Sequence, residues 1–258
     1  MMVNPAIVCH GGAGHGAKDQ PGVDEATSIG WSKLEQGESA LEAALAAVVM
    51  MENDPSLNAG TGGRIRSDGS VQLDAAIMTS DGRFGAVACI QKTKNPILVA
   101  AKLLDEKVNM LAGRGAREFA DMLNIPREDV GGSMHPSGND TVGAIARDKS
   151  GLIVVASSTG GCSGRPPGRI GDTPLIGAGL WCGEFVGVSA TGIGEEITLK
   201  MSCVRISDLV SSGISISDAL NWGIEQFNPD IEVGFIALGP QGGGIGVANT
   251  KMPWSSEC

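Results

Sequence analysis

Apolar and polar positions recur along the chain at two periods, and the switches between them mark out its elements. Ala6 to Cys9 is a short apolar strand that runs into a glycine-rich turn, His10-Gly11-Gly12-Ala13-Gly14-His15-Gly16-Ala17. Residues 23 to 37 read as a helix. Ser39, with Glu42 three positions on, forms a capping box that opens a second, stronger helix. There Leu41, Ala44, Leu45, Val48 and Val49 fall at i, i+3, i+4, i+7 and i+8, which predicts a single buried stripe. Val71, Leu73, Ala75 and Ile77 alternate as a half-buried strand, and Phe84 to Ile90 supplies the next. Asn95-Pro96 provides a cap and first-turn proline for a helix over 96–106, and 116–123 is helical by the same pattern.

The stretch 124–140, with Pro126, Gly131, Gly132, Pro136 and Gly138, is the most linker-like in the chain. After it, Thr141 opens one apolar run and Thr159 closes another, around the loop Asp148-Lys149-Ser150-Gly151. Two such runs predict a hairpin that sets Thr141 and Thr159 side by side at one sheet edge. Glu184 to Ala190 reads as a strand, 195–211 and 217–227 as helices, and 231–238 with 243–249 as a last hairpin. Strands in two groups with helices between fit two stacked sheets flanked by helix layers, an α+β arrangement.

Composition narrows the partners. The 258 residues, 42% of them hydrophobic, suffice for one large domain with a substantial core, the organisation expected for 1–258. A formal charge of −10 opposes phosphate backbones and anionic membranes, so neither nucleic acid nor membrane is an expected partner. With 39 glycines, five phenylalanines, four tryptophans and no tyrosine, the core must consist mainly of small aliphatic side chains, with close backbone approaches. The N-terminus lacks the basic flank and long apolar stretch of a signal peptide, and no run is long enough for a membrane span, which predicts a cytoplasmic protein. Six cysteines, at 9, 89, 162, 182, 203 and 258, carry no C-x-x-C pair and suit buried thiols in a reducing compartment.

The candidate chemistry centres on Thr141. A hydroxyl is a weak nucleophile that needs a base, and no histidine lies between Thr141 and Thr159. Cleavage of the Asp140-Thr141 bond would supply one as the freed α-amine, which titrates near about 7.7 to 8.0. The alternative is that Thr141 is simply a β-branched residue at a strand start. Gly12, Gly14 and Ala17 match G-x-G-x-x-A, but Lys18-Asp19-Gln20-Pro21-Gly22 replaces the apolar helix that a nucleotide site needs, and no P-loop exists. Arg169 and Asp172, on the glycine-flanked turn 168–174, are either a surface ion pair or a clamp for a zwitterion, the guanidinium taking a carboxylate and the Asp an ammonium. Thr191-Gly192-Ile193-Gly194-Glu195 has the composition of an oxyanion hole, or of a plain strand-to-helix turn. His135 lies in no ligand spacing, so metal catalysis has no support.

His10-Gly11-Gly12-Ala13-Gly14, Leu57-Asn58-Ala59-Gly60, Leu73-Asp74-Ala75-Ala76-Ile77-Met78, Asp140-Thr141-Val142-Gly143, Ser158-Thr159-Gly160-Gly161, Gly168-Arg169-Ile170-Gly171-Asp172 and Thr191-Gly192-Ile193-Gly194-Glu195 occur in this order. Together they resemble the plant-type asparaginase and isoaspartyl peptidase family, a branch of the N-terminal nucleophile hydrolases that also holds glycosylasparaginase and threonine aspartase. The resemblance spans nearly the whole chain. It implies a four-layer αββα sandwich, made as an inactive precursor that cuts itself between Asp140 and Thr141 into an α chain, 1–140, and a β chain, 141–258. Thr141 would then be nucleophile and, through its amine, base. Thr159 would tune it, and Asn58 would hydrogen-bond near its amine. Arg169 would clamp the substrate α-carboxylate and Asp172 the α-ammonium, Thr191 and Gly192 would form the oxyanion hole, and Gly194 would close the pocket.

The resemblance further implies a sodium ion held by backbone carbonyls of Met51, Glu52, Asp54, Leu57, Ala59 and Thr61, no catalytic cofactor, and a homodimer of αβ units. Asp140 departs from the glycine usual in the asparaginase branch and matches glycosylasparaginase and threonine aspartase. The stretch before Thr141 is short for the family, and Ile193 stands where many asparaginases have histidine. The expected reaction is hydrolysis of the side-chain amide of L-asparagine and of β-aspartyl dipeptides, the latter preferred. The alternatives are a glycosylasparaginase-type hydrolase, a glycine-rich nucleotide-binding protein and a non-catalytic binding relative.

Overall fold

The computed structural model describes residues 3–14, 16–134 and 141–258. In chain order the elements are β1 (Ala6–His10), α1 (Gln20–Glu35), α2 (Ala40–Asn53), β2 (Leu73–Thr79), β3 (Phe84–Ile90), α3 (Pro96–Lys102), β4 (Met110–Ala112) and α4 (Gly113–Met122). Then follow β5 (Val142–Arg147), β6 (Ile153–Thr159), β7 (Leu180–Cys182), β8 (Gly187–Gly192), α5 (Gly194–Lys200), α6 (Ser202–Ser211), α7 (Ile216–Glu225), β9 (Val233–Leu238), β10 (Ile245–Ala248) and β11 (Trp254–Glu257). A seven-stranded sheet runs β11-β1-β5-β6-β2-β3-β4 and a four-stranded one β10-β9-β8-β7. Their pairings are antiparallel except β3 with β4.

The central strands of the larger sheet are apolar on both faces, and each face has its own cluster. Val142, Ala144 and Ala146 of β5 pack with Ala26 of α1, Ala43 and Ala47 of α2, and Ile97 of α3. Ile145 of the same strand packs instead with Leu180 of β7 and with Ile236 and Leu238 of β9. A third cluster joins Val188 and Ala190 of β8 to Ile206 of α6 and Leu220 of α7. Strands buried on both faces lose the clean alternation of a half-solvated sheet, which is why β5 and β6 read as near-continuous apolar runs. The chain is thus a mixed α/β structure with helices set against sheets. Among the described residues no helix is long and apolar enough to cross a membrane, and the six cysteines form no disulfide, with Cys9, Cys89, Cys182 and Cys203 buried.

Several elements depart from the expected pattern. The capping box of α2 is present, Glu42 N–H donating to Ser39 Oγ at 3.3 Å and Ser39 N–H to Glu42 Oε2 at 2.9 Å. The fully buried stripe of α2, however, is Ala40, Ala43, Ala44, Ala47, Val48 and Met51, while Leu41, Leu45 and Val49 are only partly covered. The helix is apolar almost all round, and its alanine side faces inward because α1 comes close there. A Cβ on Gly30 of α1 would sit 3.0 Å from Ala43 O and 3.4 Å from Ala47 Cβ. The helix expected over 195–211 is two, broken at Met201, whose φ of +49° ends α5 and redirects α6. Val204 N–H of α6 then donates to Gly177 O at 3.0 Å, which ties the new direction to the loop before β7. The helix from Pro96 tightens into a 3₁₀ turn at Leu103–Asp105. The linker-like stretch is anchored at Ser133, whose N–H donates to Gly63 O at 2.8 Å and whose carbonyl accepts from Ile65 N–H at 3.1 Å. His135 and Asp140 lie outside the described residues.

Candidate active site

β5 and β6 create the site by their register. Val142 pairs with Ser158, so Thr141, the residue before β5, comes abreast of Thr159 at the end of β6. These strands stand in the middle of the larger sheet, so the pair lies at the ends of central strands and not at a sheet edge as expected. Alternation places Thr141 with Gly143 and Ile145, and Thr159 with Ser157 and Val155, on the face toward the smaller sheet. Between the sheets that end is polar. Ser189 Oγ of β8 lies 3.2 Å from His10 Nε2 and 2.9 Å from Ser157 Oγ. Burial pushes the His10 imidazole down to about 3, so it stays neutral.

One cleft gathers Thr141, Thr159, Arg169, Asp172, Gly192 and Gly194, six of the expected site residues, together with Gly161, Cys162, Gly171 and Thr173. Thr141 Oγ1 lies 3.3 Å from Thr173 Oγ1. Thr173 is buried, and reading the sequence missed it; its only signal was its place directly after Asp172 in the glycine-flanked turn. Thr159 Oγ1 accepts from Gly161 N–H at 3.0 Å, which shapes the turn leaving β6.

Arg169 is held by a carboxylate, though not by Asp172. Its Nε and Nη2 donate to Glu195 Oε1 and Oε2 at 3.0 and 2.7 Å, a two-pronged pairing of the kind a ligand carboxylate would make. A ligand must share or displace Glu195, which is half-exposed. Asp172 is buried, and burial pushes its carboxyl up to about 7, against the pull of Arg169. Gly194 is required beside them, since a Cβ there would lie 2.8 Å from Asp172 Oδ1 and 3.0 Å from Arg169 Nη2.

Thr191 and Asn58 stand behind the lining. Thr191 Oγ1 accepts from Ala13 N–H at 3.0 Å, which leaves its own hydrogen to be donated. Asn58 Nδ2 donates to Gly161 O at 2.7 Å, and its backbone carbonyl accepts from Gly160 N–H at 3.0 Å, so it braces the turn after Thr159. The glycine-rich turn after β1 uses its N–H groups within the chain, Gly11 on Pro253 O and Gly14 on Lys251 O besides Ala13 on Thr191. Those three donors are not presented to a phosphate, which tells against the nucleotide reading.

The loop 51–61 was expected to present carbonyls to a cation. A Cβ on Gly62 would meet Pro55 O at 2.8 Å as well as Leu57 O, and one on Gly60 would meet Glu52 O. Thr61 Oγ1 is buried with no hydrogen-bond partner. Carbonyl oxygens beside Gly60 and Gly62 and a buried hydroxyl are the ligand type a hard cation takes, while Leu57 O and Ala59 O also accept from Ala59 N–H and Gly62 N–H at 3.0 Å each. The Glu52 carboxylate faces elsewhere, accepting from Ile97 N–H and Asn95 Nδ2 at 3.1 Å each. Among the described residues no group of His, Cys, Asp and Glu could hold a metal ion through side chains.

A hydroxyl nucleophile candidate, a guanidinium and a buried carboxyl in one cleft at the ends of two central strands are the parts of an amide-hydrolysing site, and comparison with known proteins points the same way. The asparaginase family model matches residues 3–135 and 131–256. An isoaspartyl peptidase/L-asparaginase of Bos taurus is 33% identical, the match covering 98% of this chain and 93% of that protein. A plant-type L-asparaginase of Pyrococcus furiosus is 36% identical over 95% of this chain and 94% of its own length. The human isoaspartyl peptidase/L-asparaginase is 32% identical with 98% and 93% coverage. With the family model matching along nearly its whole length and relatives this similar over theirs, the chain belongs to the asparaginase family.

Proposed function

We propose that the protein is a self-processing threonine amidohydrolase that cleaves the side-chain amide of L-asparagine and of β-aspartyl dipeptides, with the dipeptides preferred. The observation that carries this is the single cleft in which Thr141 stands with Arg169 and Asp172. Arg169 takes the substrate α-carboxylate and Asp172, as carboxylate, the α-ammonium. Both groups are common to asparagine and to β-aspartyl peptides, so the clamp fixes one end of the substrate and leaves the leaving group unread. In the uncut chain the Thr141 nitrogen is part of the peptide bond and cannot act as base; cleavage after Asp140 frees it.

In the processed protein Thr141 Oγ1 attacks the side-chain carbonyl carbon while its proton passes to the Thr141 amine. The carbonyl oxygen, now negative, accepts hydrogen bonds from the Thr191 hydroxyl and the Gly192 N–H. The resulting ammonium returns the proton to the departing ammonia or amine, leaving a β-aspartyl ester on Thr141. Water attacks this ester and gives a proton to the amine, which passes it to Thr141 Oγ1 as the ester bond breaks and aspartate leaves, restoring hydroxyl and free amine. Thr159 and Asn58 act at one remove, through the turn that follows β6.

The three apolar clusters support a four-layer αββα sandwich, helices outside and two sheets within. A single domain processed into 1–140 and 141–258, a dimer of such αβ units, and a cytoplasmic location complete the reading. A sodium ion on the carbonyls of the 51–61 loop, with the Thr61 hydroxyl, would stiffen the segment that carries Asn58; it takes no part in the chemistry. The test is a side-by-side assay of processed protein on L-asparagine, β-aspartyl-leucine and N-acetylglucosaminyl-asparagine. Turnover of the first two is expected, and turnover of the glycosylated substrate alone would reassign the protein to the glycosylasparaginase type.

A further inference from the structure

Asp74 is a buried carboxyl that none of these steps uses. It lies on β2 directly across from Thr159 of β6, and the pairing of β2 with β3 is irregular at that point. Leu73 pairs with Ile90 but Ala75 with Val87, so Asp74 alone faces Ala88 and Cys89, a β-bulge. Cys89 takes a φ of +50°, a left-handed conformation unfavourable for a residue with a Cβ. The bulge turns the Cys89 N–H onto Asp74 Oδ1 at 2.7 Å and the Cys89 thiol toward Arg169 O at 3.7 Å. The Gly171 N–H stands against the same carboxyl, although Oδ2 closes no full hydrogen bond. Gln72, two residues before Asp74, accepts from Gly168 N–H at 2.7 Å. Two groups of this bulge, with Gln72 just before it, therefore meet the turn at Gly168, Arg169 and Gly171. Strained backbone and bulges persist where the surrounding structure holds them for a purpose.

We propose that Asp74 is a positioning residue, which through the Cys89 bulge and the Gly171 N–H sets the aim of the turn carrying Arg169 and Asp172 and thereby governs substrate affinity without touching substrate. The inference rests on the reading of Arg169 and Asp172 as the substrate clamp. Charge takes part as well as shape. Asp74 is faced by Arg66, buried with Nε and Nη1 unpartnered, and by Arg169; Asp172 is faced by Arg169, Asp74 and Glu195, with the Cys203 thiol nearby. Burial pushes Asp74 up to about 6, so it is ionised at neutral pH, and its negative charge helps hold Asp172 at about 7. Asp172 binds the ammonium as a carboxylate, so kcat/KM, which already falls below about 8 as the Thr141 amine takes up a proton, falls more steeply below about 7, where Asp172 does. Removing the Asp74 charge must move that acid limb to lower pH.

The experiment compares processed wild type, Asp74→Asn and Arg169→Lys on L-asparagine across pH. Asp74→Asn should raise KM about tenfold, the size expected on losing a hydrogen bond to a charged group, with kcat within about threefold. Its acid limb should move down, a change that general loosening of the fold does not produce. If Arg169→Lys raises KM but Asp74→Asn leaves KM and the limb in place, Asp74 does not aim the turn. If Arg169→Lys itself changes nothing, the clamp reading fails and the inference with it. Should Asp74→Asn not process, its affinity for L-aspartate is measured by calorimetry in the uncut Thr141→Ala background, with Asp74→Ser beside it. Weaker binding at retained fold supports the inference, unchanged binding overturns it, and a fold that survives neither change makes Asp74 a core residue and also overturns it.

Discussion

At the scale of single residues, the group that most directly conditions Thr141 is Thr173, whose hydroxyl lies 3.3 Å from the Thr141 hydroxyl with both side chains buried. A hydroxyl there holds Oγ1 in one orientation. Thr173→Val keeps the shape and removes the partner, so kcat on L-asparagine should fall about tenfold with KM little changed, while Thr173→Ser stays near wild type. Steady-state kinetics on processed protein decide this, and an unaltered kcat in Thr173→Val would show that Oγ1 is oriented by something else. That Thr141, Thr159, Arg169, Asp172, Gly192 and Gly194 belong to one cleft was legible because each sits in a short motif at either end of an apolar run or on the glycine-flanked turn 168–174. Thr173 was not, because a hydroxyl after an aspartate is common in turns and has no period to mark it. Asp74 lay in plain view inside one of those motifs, but only the bulge opposite Cys89 gives it work, and a bulge is a property of two strands.

At the scale of elements, the site depends on how closely the two sheets approach where their facing surfaces turn polar. Gly143 on β5 marks one close point, since a Cβ there would land on His10 Nε2 of the neighbouring strand and lie 2.7 Å from Ser189 Oγ of the smaller sheet. Gly143→Ala should therefore force the sheets apart beside Thr141 and destabilise the protein by about 1–3 kcal/mol, as overpacking does. Thermal unfolding reads the effect, and a midpoint equal to wild type would mean that the polar layer has slack to absorb a methyl group. Elements with strong periods, such as α2 and the β5–β6 hairpin, could be read from the chain alone. The break at Met201 could not, since methionine is an ordinary helix residue and its φ of +49° is imposed by packing against Gly177. Nor could β4, β7 and β11, which have three or four residues each and exist only because β3, β8 and β1 offer them an edge.

At the scale of the whole molecule, the order of the strands is compatible with the proposal that processing and catalysis share one residue. β5 and β6 are neighbours at the centre of the larger sheet and Thr141 directly precedes β5, so a cut before Thr141 removes no residue from either strand. The new terminus is then held by pairing on both sides, to β1 and to β6. Two sheets with helices set against them were foreseeable from strands in two groups with helices between, whereas the pairing of Arg169 with Glu195 is a long-range contact. The central claim is that Thr141 becomes an N-terminal nucleophile by self-cleavage. Intact mass and asparagine hydrolysis followed together during incubation at neutral pH test it most directly. The full-length mass should give way to two chains meeting at 140 and 141, with activity rising in step, and Thr141→Ala should remain one inactive chain. Sustained hydrolysis by protein that shows only the full-length mass would contradict it.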